Sequence, residues 1–134
     1  MAVLAAVVWG LSGFVEKIGL RGADPQTGVL ARSLGVGVAG VVLLMVRPEV
    51  GTGFLALDWR TRLTLMGGGA LASVIAQLFF YRALKVGDVG RVAAVGGAWP
   101  VVAFVLSVLF LGETLTVRKG LGIFLVVLGA AFLR

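Results

Sequence analysis

Residues 92–111 read VAAVGGAWPVVAFVLSVLFL, twenty consecutive positions without a charge. About twenty mainly apolar residues are what an α-helix needs to cross a hydrocarbon core. Outward from this stretch, charges punctuate the chain between apolar runs. Residues 85–91, KVGDVGR, make a short basic loop before it, and Gly112, Glu113 and Thr114 turn the chain after it. The spacing predicts four more spans: 2–20, with Glu16 and Lys17 towards its end; 27–46, with Arg32 inside it; 62–84; and 117–133, where Arg118 and Lys119 snorkel to the interface. Residues 50–61 form the longest loop, whose Trp59 suits interfacial depth.

Composition carries the same message. Of 134 residues, 60% are hydrophobic and 13% charged, with a mean hydropathy of +1.10. A soluble domain carries about 25% charge, and one this short keeps much of its surface wet. Lipid is the solvent that fits. The expected fold is all-α: a polytopic bundle of about five transmembrane helices, one domain over 1–134. The uncharged N-terminal residues lack the basic start and the cleavage site of a signal peptide, so they read as the first span. The net charge of +6 does not point to nucleic acid, because the cations stand singly at loops, where membrane topology uses them. The chain has no Cys and no His, which removes disulfides, thiol nucleophiles and His relays. No cofactor or metal is implied, and no nucleophile–base pair suggests an enzyme.

Small residues recur at helical spacing: Ala31, Gly35 and Ala39; Gly68 and Ala72; Ala93 and Gly97. Such faces let helices approach closely in lipid. With five spans, Arg47, Arg60, Arg62, Arg118 and Lys119 fall on the N-terminal side, and Lys17, Arg21, Arg82, Lys85, Arg91 and Arg134 on the other. Five against six leaves almost no Lys/Arg excess to set an orientation. The expectation is insertion both ways and an antiparallel homodimer, an inverted repeat made from two copies.

Ionisable groups inside lipid are functional candidates. Lys17 and Arg32 would give a pathway positive potential and favour an anionic group. Trp9, Gln77, Tyr81 and Trp99 would shape it, Gln77 and Tyr81 sharing a face four residues apart. Glu16 is the only carboxylate within a span and the candidate proton carrier. Pro100 deletes a helical hydrogen bond and presses on the carbonyl of Gly96, so Pro100, Gly96 and Gly97 read as a hinge.

Four motifs together resemble one repeat of the EamA family of the drug/metabolite transporter superfamily: Trp9 and Gly10 followed by Lys17; Pro25 followed by Arg32 after Ala31; Phe80, Tyr81 and Lys85; and the run from Ala93 through Trp99 and Pro100 to Glu113, Gly120 and Gly129. The resemblance covers essentially the whole chain. It implies a secondary transporter or exporter of small metabolites, amino acids or drugs in the cell membrane. Family members commonly carry two inverted repeats, so a single repeat implies a homodimer or a heterodimer with a second half-size chain. Carried over by motif, Lys17, Arg32 and Pro100 are the matching positions, whereas Glu16 has no family counterpart. The four-helix small multidrug resistance proteins are similar in the 112–129 stretch and imply a proton-coupled antiporter, for which only Glu16 could supply the first-helix carboxylate. A non-transporting assembly subunit is the rival from another class.

Overall fold

The computed structural model describes residues 1–114 and 116–133. Leu115 and Arg134, the latter one of the cations in the sidedness count, lie outside the described residues. All regular elements among the described residues are helical: α1 (Ala2–Gly19), α2 (Pro25–Val46), α3 (Pro48–Ala56), α4 (Trp59–Ala70), a π-helical segment (Leu71–Ala76), α5 (Gln77–Val86), α6 (Val89–Gly96), α7 (Trp99–Leu111) and α8 (Val117–Phe132).

Local chemistry sets most of these boundaries. Asp24 caps α2 by accepting from the backbone N–H groups of Gln26 at 2.9 Å and Thr27 at 3.1 Å, and Pro25 stands at the first helical position, where its missing N–H costs nothing. Pro48 ends α2 and opens α3, so a short helix occupies much of what the sequence suggested was a loop. Asp58 then caps α4 through the N–H of Thr61 at 3.0 Å, which starts the third span at Trp59 rather than at 62. Thr116 caps α8 through Lys119 N. Gly112 closes α7 at φ +66°, a left-handed conformation that side-chain-bearing residues adopt at a cost.

Four helices among the described residues are long and apolar enough to cross a membrane: Ala2–Gly19, Pro25–Val46, Trp59–Val86 and Val89–Leu111. The third and fourth each hold an interruption, the π segment in one and the α6–α7 break in the other. Helix α8 occupies the expected fifth stretch with 16 residues. At 1.5 Å per residue that is about 24 Å, a few ångströms under the hydrocarbon thickness. Large apolar side chains stand open along every span, among them Val8, Leu34, Val38, Leu65, Val102, Leu109 and Phe124. Water would not tolerate that surface; lipid does.

The chain divides into two compact units, Met1–Lys17 with Val86–Arg134, and Ile18–Lys85. In the second, α2 packs on α3 and on the π segment. Leu20, Val29, Tyr81 and Leu84 are the buried large apolar residues among those described, and all four lie in this unit. A methyl group on Gly28 would stand 2.8 Å from Leu20 Cδ2 and 3.1 Å from the Tyr81 ring, so glycine is what lets α2 close on them. Lys85 Nζ donates to Leu20 O at 2.7 Å, satisfying a carbonyl just past the end of α1. In the first unit, α8 packs against α6 and α7.

Candidate functional site

In the first unit the fourth span does not bend smoothly at Pro100; it stops and restarts. Gly97 and Ala98 both have ψ near zero, −5° and 0°. Gly97 N donates to Ala93 O at 2.7 Å, Ala98 N to Val95 O at 3.2 Å, and Val101 N to Ala98 O at 3.0 Å. The last two are tightened three-residue bonds. Pro100 stands at the second position of the new helix. There its missing N–H is harmless to α7 but removes the donor that the Gly96 carbonyl would otherwise meet. A Cβ on Gly97 would lie 2.9 Å from Ala93 O and 3.4 Å from Ala94 O, both backbone atoms, so no side chain fits. The residues read as a hinge thus form a tight double turn rather than a proline kink.

Trp99, the first residue after the break, meets Trp9 of α1 edge to face, with ring centroids 6.5 Å apart and planes at 84°. Perpendicular rings place one ring's positive edge on the other's negative face. Both rings nevertheless stay more than half exposed, at 66% and 57%. Further along α1, Ser12 Oγ donates to Glu16 Oε1 at 3.2 Å. Trp9, Ser12 and Glu16 recur at three and four residues, so they share one face of the helix. Lys17 points elsewhere. Its ammonium donates to Gly87 O at 2.9 Å.

In the second unit, Arg32 is half-buried in α2. Gln77 opens α5 directly after the π segment, and it too is half-buried. Tyr81, on the same face one turn on, is 3% exposed and packs at Gly28. Of the residues expected to shape a pathway, the structure brings Trp9 and Trp99 together, and Tyr81 packs at Gly28 between α2 and α5. The π segment, Gly28 and the Lys85 bond were not anticipated. π-helical turns have no residue signature, although they often mark functional positions. A lysine in the last turn of a span is the signal that would have flagged Lys85.

Apolar helices of spanning length and capped interfacial turns define a multi-pass membrane protein. The whole of residues 1–134 matches the EamA-like transporter family, and the chain belongs to it. It is 31% identical to an uncharacterized transporter from the cobO 3′ region of a Sinorhizobium species, over 98% of this chain and 92% of that protein. It is 29% identical to an uncharacterized protein of Methanocaldococcus jannaschii, over 99% and 93% of the two chains. Both relatives are thus about one repeat long. No solved structure matches.

Proposed function

We propose that this chain is a secondary transporter or exporter of small metabolites, amino acids or drugs, working by alternating access in the cell membrane as an antiparallel homodimer or with a second half-size chain. The observation that carries this reading is the interrupted fourth span beside an open aromatic pair. Non-helical backbone at membrane depth is tolerated where it faces protein or a cavity, and such breaks mark substrate positions in transporters. The Gly97–Ala98 turn, the Gly96 carbonyl that Pro100 cannot donate to and the Trp9–Trp99 corner form that constellation within one unit. Lys17 is proposed to add positive charge on the same helix as Trp9, its Nζ bonded to Gly87 O. Arg32 and Gln77 belong to the other unit and are proposed, separately, as polar groups of the transport pathway. The near balance of cations and the single-repeat length of the relatives support pairing of two copies. The solute passes chemically unchanged.

Uptake and efflux of a panel of amino acids and amphiphilic amines in liposomes of the purified chain test the proposal. A saturable flux that Trp99→Ala or Arg32→Ala abolishes, with helical content unchanged, is the expected result. No flux of any solute, alongside stable association with another membrane protein, would replace it with the assembly-subunit reading.

One observation favours a proton-coupled variant of the same activity. Glu16 is held by Ser12 on the Trp9 face, where a solute and a proton could compete for one carboxylate. In that variant Glu16→Gln removes flux driven by a pH gradient and spares solute exchange.

A further inference from the structure

The corner between α3 and α4 carries two guanidinium groups, and no carboxylate among the described residues pairs with either. Arg60 lies over the Trp59 ring at 5.6 Å, and Arg62 reaches over Phe54 of α3 at 6.0 Å. Neither forms an ion pair among the described residues. The adjacent carboxylate is already committed, since Asp58 Oδ2 accepts from Thr61 N at 3.0 Å and Oδ1 from Thr61 Oγ1 at 2.6 Å. Arg47 is engaged by Glu49. Arg62 Nε is buried and has no hydrogen-bond partner, an orphan donor on a charged group. Such a donor costs free energy, and no described residue accepts from the outer nitrogens of the same guanidinium, which leaves them to an acceptor from outside the chain.

The surroundings say what that acceptor is. Both arginines sit in the first turn of α4, at the positive end of its dipole, where cations are unfavourable without an added anion. Trp59 and Phe54 stand exposed at the same corner, and aromatic side chains prefer the headgroup level. Arginine's planar fork matches phosphate oxygens in pairs. We infer that Arg60 and Arg62, with Trp59 and Phe54, bind the phosphate of an anionic phospholipid headgroup, and that this site anchors the α3–α4 corner at the membrane surface. The inference does not depend on the transport reading.

The test is thermal unfolding and lipid binding by native mass spectrometry, on the full chain stripped of lipid in neutral detergent. Phosphatidylglycerol, phosphatidylcholine and inorganic phosphate are added in separate arms. Phosphatidylglycerol should raise the midpoint by several degrees more than phosphatidylcholine and bind at least fivefold tighter. Arg62→Gln and Arg60→Gln should each remove most of that preference, Arg62→Lys should restore part of it, and Arg21→Gln, which removes one charge elsewhere, should leave it intact. Equal response to the two lipids overturns the proposal, as does a preference that survives both glutamine variants. A response to inorganic phosphate alone assigns the site to a free anion and overturns the lipid source. Should the glutamine variants not fold, 0.5 M salt must abolish the wild-type preference, because exposed guanidinium–phosphate attraction is screened; a salt-insensitive preference overturns the proposal equally.

Discussion

Gly97 occupies a position where a methyl group has nowhere to go, because the atoms it would meet belong to the backbone of the preceding turn. A flexible side chain could step aside; a carbonyl in a helix cannot. Gly97→Ala should therefore reshape the break between α6 and α7 and displace Trp99 from Trp9. The expected outcome is at least tenfold lower flux in liposomes with helical content by circular dichroism unchanged. Acid titration reports on other single residues. The hydrogen bonds from Thr27 hold Asp24 below its ordinary value of 3.8, and those from Thr61 do the same for Asp58. Each carboxylate is thus more acidic folded than unfolded, so its contribution is complete above 3.8 and is lost as pH falls through the lower folded value. Thermal midpoints in detergent should stay level from pH 7 to about 5 and fall below 4, less steeply in Asp24→Asn/Asp58→Asn, since asparagine still caps but does not titrate. Arg60, Arg62 and the orphan Nε belong to this scale too, and nothing in the letter string distinguished them from the other cations punctuating the chain.

Among the elements, the third span is the one whose internal geometry departs furthest from its sequence pattern. Residues 62–84 look like one apolar helix, and the span is continuous in length, yet six residues wind as a π-helix. An extra residue in a turn rotates everything after it by about 100° relative to an α-helix. That rotation sets where Gln77, Tyr81 and Leu84 face. An alanine inserted after Ala76 should rotate the rest of the span by about 100° and turn Tyr81 and Leu84 away from Leu20 and Gly28. The expected loss is about 2–5 kcal/mol, the range for emptying a buried large side-chain position, measured by unfolding in mixed micelles. The short helix α3 teaches a related lesson. Gly51 and Gly53 suggested a loop, but Pro48 at the first helical position, Glu49 in the first turn and a Thr52 hydroxyl bonded to Glu49 O outweigh them. On the small-residue face of α2, nothing described lies within 4 Å of a Cβ placed on Gly35.

For the whole molecule the decisive quantity is the sidedness of charge. On the five-span reading the sequence sets five cations against six, a near balance that predicts little preference between orientations. Three added lysines beyond the C-terminus should impose one orientation, visible as reporter activity on a single side. If the working unit is an antiparallel pair, flux in cells should then fall several-fold and return when an oppositely biased copy is coexpressed. Unchanged flux from the single-orientation chain would remove the antiparallel pair from the proposal.

The amino-acid pattern alone determined that this is an all-α membrane protein of the EamA family type, with long apolar helices separated by short charged turns. Those features are local or compositional: hydrocarbon solvation acts on runs of about twenty residues, and caps act within one turn. Only the tertiary structure decided which carbonyl Lys17 and Lys85 would meet, that Tyr81 would pack at Gly28, that Trp9 would stand against Trp99, and that Arg62 Nε would be buried without a hydrogen-bond partner. Each of these depends on residues far apart in the chain or on the turn-by-turn winding of a span, and neither leaves a periodicity to read.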